Sequence, residues 1–311
     1  MIYKQFQDVK LSALGFGCMR LPTVDGNDAN VDEAEAARLI AQAMEGGVNY
    51  YDTAWGYHAG NSETVLGRIL KQHPRNSFYL ADKFPGYDLS NMGKVEEIFD
   101  KQLEKCQVDC FDFYLFHNVC EMNIDAYLDP KNHIYESLMA RKKAGQIRHL
   151  GFSAHGDLNT MKRFLEAYGK DMEFCQIQLN WLDWGFQSAR AKRELLEEWN
   201  IPVWVMEPVR GGKLARLSEE YAARLHELRP EEGVPAWAFR FVQSVPSVTV
   251  TLSGMSTMEQ VEDNLNTFAW ETPLSEQEWR TLLSIADSMT GRTSVPCTAC
   301  RYCTSHCPQG L

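Results

Sequence analysis

The stretch DEAEAARLIAQAMEGGVNYYD, residues 32–52, contains the repeating unit of the fold. It begins with acidic residues and continues with apolar residues at spacings of three and four, which predicts an amphipathic helix. Gly46 and Gly47 end that helix. The run VNYYD, residues 48–52, is apolar and aromatic, which predicts a buried strand. The stretch therefore predicts a helix followed at once by a strand.

The same alternation continues along most of the chain. The candidate strands share an apolar, β-rich composition and are LGFG (14–17), VNYYD (48–52), SFYLAD (77–82), FDFYLF (111–116), IRHLGFS (147–153), EFCQIQL (173–179), IPVWVM (201–206) and VTVTLS (248–253). Further helical patterns lie between them at 62–72, 94–106, 136–145, 159–169, 188–199, 235–243 and 256–268.

Strand then helix, repeated eight times, is the period of an α/β fold of the (β/α)8 TIM-barrel type. The strands are continuous apolar runs, as expected for strands covered on both faces. A doubly wound open sheet is the alternative, but its first turn usually reads G-x-G-x-x-G, and here it reads GFGCMRLP. We predict a barrel over residues 1–288 with a short N-terminal β-hairpin. A linker and a Cys-rich iron–sulfur tail are expected at 289–311.

Composition narrows the choice of partners. The chain of 311 residues has 31 Lys and Arg against 42 Asp and Glu, a net charge of −11, without a basic stripe. This argues against binding to a nucleic-acid backbone. No apolar run approaches the roughly 20 residues that span a bilayer, and the start MIYKQFQDVKLS lacks the features of a signal peptide. We expect a soluble, cytoplasmic protein.

Reactive side chains follow successive strands. Asp52 ends the second strand and Tyr57 follows it, Lys83 ends the third, and His117 ends the fourth. The chemistry of a TIM barrel lies at this face, so these groups are expected to converge. Singly, each has a structural explanation: a turn cap, a loop aromatic, a solvated strand end or a core imidazole. Together they favour a proton-transfer site.

In such a site an ammonium group lowers the pKa of a phenol from its usual value near 10. A buried carboxylate holds the ammonium charged, and an imidazole hydrogen-bonds a carbonyl oxygen. The set suits delivery of a proton to a carbonyl while hydride arrives from a cofactor.

These residues resemble the aldo-keto reductases, in which DTA-x-x-Y follows strand two, a Lys ends strand three and a His ends strand four. The helix SETVLGRIL is also similar to the one that follows in that family. The resemblance implies an NAD(P)-dependent oxidoreductase that transfers hydride between nicotinamide and a small carbonyl or alcohol substrate. Tyr57 would be the general acid/base, Lys83 and Asp52 would tune it, and His117 would orient the carbonyl.

The resemblance also implies a nucleotide site. GFSAHG places Ser153, and QIQLNW places Gln176, at the carboxamide, while Met206 stands where an aromatic residue often stacks on nicotinamide. The positions similar to the family's adenosine-binding turn are Gly254, Ser256, Gln260 and Asn264. Family members that use NADP often carry a cation there, and residues 251–265 contain none, so NADP and NAD both remain open.

Two further features of the nucleotide face and mouth are predicted from the residues themselves. The cations and glycines of the run Arg210, Gly211, Gly212 and Lys213 suit a pyrophosphate, with a solvated loop as the alternative. Aromatic and imidazole side chains at strand ends are candidates for a mouth that favours a flat or aromatic substrate, with core packing as the alternative, namely Trp55, His58, Phe84, Tyr87, Trp181 and Trp184.

The run CTACRYCTSHCP, residues 297–308, contains Cys297, Cys300, Cys303 and Cys307. Its spacing, C-x2-C-x2-C-x3-C-P, is that of bacterial ferredoxins and predicts a 4Fe–4S cluster. Zinc is the alternative, and a reducing compartment favours metal over disulfides. The five other cysteines, Cys18, Cys106, Cys110, Cys120 and Cys175, show no such spacing and are expected to be inert thiols.

One branch of aldo-keto reductases carries a ferredoxin-like C-terminal module, and MEPVRGG and GFSAHG resemble that branch. In two-cluster ferredoxins the fourth Cys serves the other cluster. The run is therefore either the start of a longer module, truncated here, or holds one cluster alone. Such a cluster implies electron transfer with a ferredoxin or flavoprotein partner, or a structural role. A nucleotide-sensing redox barrel, or an electron-transfer subunit with little reductase activity, is the alternative function.

Overall fold

The computed structural model describes residues 1–291. Its strands are β1 (Tyr3–Phe6), β2 (Val9–Ser12), β3 (Leu14–Gly17), β4 (Tyr50–Asp52), β5 (Tyr79–Phe84), β6 (Phe111–Val119), β7 (Ile147–Ala154), β8 (Cys175–Gln178), β9 (Val203–Met206) and β10 (Val248–Ser253). Its α-helices are α1 (Glu33–Glu45), α2 (Ser62–Leu70), α3 (Val95–Cys106), α4 (Ile124–Leu128), α5 (Ile134–Lys143), α6 (Leu158–Tyr168), α7 (Asp183–Phe186), α8 (Ala189–Glu198), α9 (Glu219–His226), α10 (Val234–Gln243), α11 (Met258–Thr267) and α12 (Glu276–Thr290).

Strands β3 to β10 close a barrel in chain order, with every neighbouring pair parallel. Because the strands are parallel, all their C-terminal ends open on one face, where the loops to the helices begin. The predicted (β/α)8 barrel is confirmed. The predicted Cys-rich iron–sulfur tail lies outside the described residues.

The predicted N-terminal hairpin is also present, since β1 and β2 pair antiparallel from Tyr3↔Ser12 to Phe6↔Val9. The Phe6 ring lies 5.0 Å from the Trp204 ring and 5.0 Å from the His149 ring, each edge to face. The hairpin thus covers the N-terminal end of the barrel with an aromatic side chain that joins the interior core. This leaves the opposite end for the site.

Local signals explain the ends of the quoted unit. The Asp32 side chain accepts a hydrogen bond from Glu35 N and caps α1, and acidic residues in the first turn suit the helix dipole. Gly47, with φ of +93°, makes the turn into β4. In the next unit, α2 meets α3 so closely that a Cβ at Gly67 would lie 2.5 Å from Lys105 O.

Some predicted bounds were wrong. Strand β5 continues beyond its expected end, because its pairing with β6 runs on through Lys83↔Leu115 and Phe84↔Phe116. Strand β6 continues to Val119, which pairs with Ala154 of β7. Lys83 and His117 therefore lie inside strands rather than at their ends. Helix α12 ends at Thr290, and the predicted division of the chain at 288/289 stays a prediction.

Within residues 1–291, no helix combines the length and the apolar character that a membrane crossing requires.

Candidate active site

A buried ion pair forms the base of the site. Lys83 Nζ donates to Asp52 Oδ1 at 2.5 Å and to Thr53 O at 2.7 Å. Both charged residues are buried in the barrel. Asp52 Oδ2 has no hydrogen-bond partner within the part of the chain that the structure describes. A buried pair of this kind needs close geometry to offset desolvation, and the two hydrogen bonds of Lys83 supply it.

Tyr57 lies beside this pair. It begins the short 3-10 turn Tyr57–Gly60 that follows β4, and its ring centroid is 5.1 Å from Lys83 Nζ. His58, next in the turn, accepts from Leu21 N through Nε2 at 3.0 Å and contacts Asp28 O through Nδ1 at 2.9 Å. The imidazole thus ties the turn to the loop after β3, which positions the tyrosine.

The expected lowering of the Tyr57 pKa is not found. Burial raises the pKa of the phenol well above 10, and the Asp52 carboxylate raises it further. The cost of placing a phenolate in a desolvated site sets the direction of this shift, although Lys83 Nζ lies near the ring. Tyr57 therefore stays protonated at neutral pH, which is the form that can give a proton to a carbonyl oxygen.

His117 lies inside β6 next to two tyrosines. Its ring is 6.2 Å from the Tyr57 ring and 5.2 Å from the Tyr87 ring, both close to perpendicular. Burial, and then the Lys83 charge, lower the pKa of His117 well below 6.5. The imidazole is therefore neutral, and it can hydrogen-bond a carbonyl without adding a charge.

A cavity of about 470 Å³ opens above these groups at the C-terminal face of the barrel. Three of the four predicted catalytic residues line it: Asp52, Tyr57 and His117. Lys83 lies beneath them through its bond to Asp52. The predicted nucleotide residues that also line it are Ser153, Gln176, Met206, Gly211, Gly212, Gly254, Ser256, Gln260 and Asn264. Its volume is within the range of small-molecule sites.

The inner part of the cavity fits a carboxamide. Ser153 and Gln176 are register partners on β7 and β8. Ser153 Oγ accepts from Asn118 N at 2.8 Å, which leaves its hydroxyl hydrogen to donate. The Gln176 side chain is buried and makes no hydrogen bond with the described residues. A carboxamide both donates and accepts hydrogen bonds, so it complements the side-chain amide of Gln176, which does the same.

The outer part of the cavity is formed around α11. Ser256 N donates to Gln260 Oε1 at 2.8 Å, and Ser256 Oγ donates to Arg20 O at 2.7 Å. Asn264 Nδ2 donates to Ser253 Oγ at 3.0 Å. These bonds join the end of β10 to the start of α11 and hold the turn in shape.

Two predicted pyrophosphate residues are not among those that line the cavity. Arg210 is buried, with Nε 3.1 and 3.0 Å from the two carboxylate oxygens of Asp183. Lys213 is exposed. Arg20 and Arg216 line the cavity instead, and sequence reasoning missed both. Arg20 was detectable, because it stands in the turn GFGCMRLP directly after the first barrel strand.

The predicted aromatic mouth is not found, because none of its six residues is among those that line the cavity. Phe84 and Trp181 are core residues, and the Trp184 ring packs edge to face on the rings of Phe241 and Trp279. The cavity is lined instead by polar residues that the sequence analysis missed, namely His155, Gln178 and Glu207. Gln178 shares a strand face with Gln176, two residues earlier, which is the signal that was available.

The cysteines divide into two sets. Cys18, Cys106, Cys120 and Cys175 are buried and Cys110 is partly exposed, all as free thiols. The four cysteines of the predicted cluster lie outside the described residues. Within residues 1–291, no group of three or more His, Cys, Asp or Glu side chains is placed to hold a metal ion.

The fold and the site define a class, the oxidoreductases built on a (β/α)8 barrel. Over residues 13–287 the chain matches the Aldo/keto reductase family, and it belongs to that family. It is an enzyme of the aldo-keto reductase type. The match ends before the four-cysteine run.

The chain is also similar in sequence and structure to known aldo-keto reductases and to a reductase of a small carbonyl compound. The chain is 27% identical to aldo-keto reductase AKR11C1 from Bacillus halodurans (holo form), with a TM-score of 0.74 over 92% of this chain and 96% of that one. It is 23% identical to the NADH-specific methylglyoxal reductase of Escherichia coli (strain K12), over 83% of this chain and 90% of that one. An aldo-keto reductase from Klebsiella pneumoniae in complex with NADPH is 18% identical with a TM-score of 0.73, over 96% of this chain and 99% of that one, a likeness of fold.

Proposed function

We propose that the chain reduces a small carbonyl compound with a nicotinamide dinucleotide, or oxidises the corresponding alcohol. The observation that carries this proposal is the juxtaposition of Tyr57 and His117 with the buried Lys83–Asp52 pair in one cavity wall. The same cavity contains Ser153 and Gln176, whose unused hydrogen-bonding capacity suits a carboxamide.

The residues divide the work as follows. Tyr57 gives its phenolic proton to the carbonyl oxygen while the carbonyl carbon receives hydride, which the bound dinucleotide supplies. Lys83 stabilises the phenolate that remains, and Asp52 keeps the ammonium charged and in place. His117 donates a hydrogen bond to the carbonyl oxygen and orients it. The phenolate recovers its proton from solvent when the alcohol leaves.

The charge around α11 favours a dinucleotide without a 2′-phosphate. Glu259 and Asp263 are exposed and line the cavity, and residues 251–265 contain no Lys or Arg. A phosphate there would meet two carboxylates and no α11 cation. The name of the NADH-specific relative from Escherichia coli points the same way. We propose NADH as the preferred partner.

The test is steady-state NADH oxidation with a panel of small aldehydes and ketones. Tyr57→Phe should lower kcat/KM by about 10²-fold or more, because it removes the proton donor. NADH binding, followed by fluorescence titration, should change by less than about twofold because Phe keeps the ring. Equal turnover by Tyr57→Phe and wild-type enzyme contradicts the proposal.

The four-cysteine run remains a prediction. If Cys297, Cys300, Cys303 and Cys307 bind a 4Fe–4S cluster, the anaerobically purified full-length chain should contain about four iron atoms. Bleaching of that cluster by NADH without carbonyl would support the electron-transfer alternative, with a ferredoxin or flavoprotein partner. An iron content at background level would contradict both the cluster and the electron-transfer alternative.

A further inference from the structure

Two polar side chains, His155 and Gln178, line the same cavity as Tyr57 and His117. The His155 ring is 6.3 Å from the His117 ring, and Gln178 is the register partner of Met206. Burial lowers the pKa of His155 to about 4, helped by the charges of Lys192 and Lys83. The imidazole is therefore neutral at pH 7, so these two side chains offer hydrogen bonds and no charge.

The orientation of Gln178 is set by a buried carboxylate. Its Nε2 lies 2.7 Å from Asp183 Oδ2. A carboxylate only accepts hydrogen bonds, so the amide nitrogen must face Asp183 and the carbonyl oxygen must point elsewhere. Asp183 does not line the cavity, whereas Gln178 does. Gln178 Oε1 receives no hydrogen bond from the described residues, and it is the polar atom left to face the cavity.

Asp183 is itself fixed in place. It is fully buried, it accepts from Asn180 Nδ2 at 2.8 Å, and Arg210 Nε lies 3.0 Å from Oδ2 and 3.1 Å from Oδ1. Asn180 Nδ2 also donates to Glu207 O at 3.0 Å, which ties the loop after β8 to the loop after β9. A buried ion pair contributes little net stability by itself. Here the ion pair between Arg210 and Asp183 keeps the carboxylate in place, and the carboxylate holds the Gln178 amide in one orientation.

An oriented carbonyl oxygen selects a particular ligand group. It accepts from a hydroxyl, repels a carboxylate and is left without a partner by an alkyl group. Arg20 lines the cavity along the nucleotide loops, with its Cβ 3.1 Å from the position of a Cβ at Gly254 and its Nη2 3.6 Å from that of a Cβ at Gly211. Gln178 itself carries no charge, so a carboxylate placed against its oxygen gains no ion pair from it.

We propose that Gln178 is a specificity-determining residue that accepts a hydrogen bond from a hydroxyl group next to the reacting carbonyl, so that the preferred substrates are hydroxy-carbonyl compounds. This inference rests on the proposed carbonyl reduction. Asp183 and Arg210 act through Gln178 as positioning residues.

The experiment compares matched substrates with the full-length chain and NADH. Glycolaldehyde is paired with acetaldehyde, and glyceraldehyde with propanal, while glyoxylate serves as the anionic arm. Wild-type enzyme should favour each hydroxyaldehyde by about tenfold or more in kcat/KM, because a site built to hydrogen-bond a hydroxyl discriminates strongly against the analogue without it. Glyoxylate should be poorer than glycolaldehyde.

Two variants test the assignment. Gln178→Leu should bring the ratio of hydroxyaldehyde to alkyl aldehyde to about one, because it removes the acceptor and keeps a similar volume. Asp183→Asn presents both a donor and an acceptor, so the amide of Gln178 can take either orientation. The ratio of hydroxyaldehyde to alkyl aldehyde should therefore fall part of the way towards one, chiefly through KM. The matched control is Gln72→Leu, an exposed glutamine on another helix end, which should leave the ratio unchanged.

The outcomes separate the two proposals. An unchanged ratio in Gln178→Leu, or no preference in the wild type while both aldehydes are reduced, overturns the role of Gln178 and leaves carbonyl reduction standing. A wild-type enzyme that reduces no carbonyl of either series overturns both. A faster reaction with glyoxylate than with glycolaldehyde overturns the hydroxy-carbonyl assignment.

Discussion

Lys83 and Asp52 are joined by a hydrogen bond of 2.5 Å inside the barrel, where their side chains are only 1% and 3% exposed. The two residues come from neighbouring strands, since Asp52 ends β4 and Lys83 lies within β5. Removal of either partner leaves an uncompensated charge in a desolvated place. The pair therefore links the stability of the barrel wall to the chemistry of Tyr57.

The first prediction concerns this pair. Asp52→Asn and Lys83→Met should each lower the free energy of unfolding by about 3–5 kcal/mol, because each leaves a buried polar or charged group without its partner. The double variant Asp52→Asn/Lys83→Met should lose less than the sum of the two. Urea unfolding of the four proteins measures the coupling. Additive losses, within about 0.5 kcal/mol, contradict the prediction.

The second prediction concerns pH. Asp82 is fully buried behind Lys83, and its Oδ1 accepts from Lys83 N at 2.8 Å. Around it lie Glu63 of α2, Lys105 and Cys106 of α3, and the Tyr114 hydroxyl of β6. Burial, and then the charge of Glu63, raise the pKa of Asp82 well above 3.8.

The folded state therefore holds the Asp82 proton more tightly than the unfolded chain does. The stability that Asp82 contributes is fully present below about pH 4 and falls as pH rises through the folded-state pKa. Asp82→Asn cannot titrate and keeps both a donor and an acceptor. Its free energy of unfolding relative to wild type should therefore rise between about pH 4 and about pH 9, because only wild type loses stability as the Asp82 carboxyl gives up its proton.

Urea unfolding at several pH values measures this difference, with Asp109→Asn, on an exposed loop, as the control. A difference between wild type and Asp82→Asn that stays flat across the range shows that Asp82 does not hold a proton in the folded protein.

The third prediction concerns nucleotide choice. Asp263→Arg should improve the binding of NADPH relative to NADH by about tenfold, because it replaces a repulsive carboxylate with a guanidinium that pairs with phosphate. Glu262→Arg is the matched control, since Glu262 is exposed on the same helix and is not among the residues that line the cavity. Fluorescence titration of both nucleotides gives the ratio. An equal shift in the two variants would mean that net charge alone is responsible.

The fourth prediction concerns packing. Gly67→Ala should lower the free energy of unfolding by about 1–3 kcal/mol, because the new Cβ would lie 2.5 Å from Lys105 O. Gly185→Ala, where a Cβ meets nothing within 4 Å, should change stability by less than about 1 kcal/mol. Thermal unfolding of both variants tests the contrast. Equal effects at the two sites would show that α2 and α3 separate easily.

Several elements were accessible from sequence and others were not. Helix α12 carries a capping box, with Ser275 and Glu278 bonded to each other's backbone, so its start was readable although it was not predicted. Helix α7 has only the four residues Asp183–Phe186 and no period to detect. The extension of β6 to Val119 depends on pairing with β7, where Val119 faces Ala154, and such pairing leaves no local signal.

The sequence by itself determined the order of strands and helices, the barrel, and the candidate catalytic residues on their elements. Helical and strand periodicity are local properties, and strand ends in a parallel barrel always meet at one face. Only the tertiary structure decided that Arg210 pairs with Asp183, that the amide nitrogen of Gln178 donates to Asp183, and that burial raises the pKa of Tyr57. Contacts between distant residues and the loss of water around a side chain arise from packing, and no local stretch of sequence contains them.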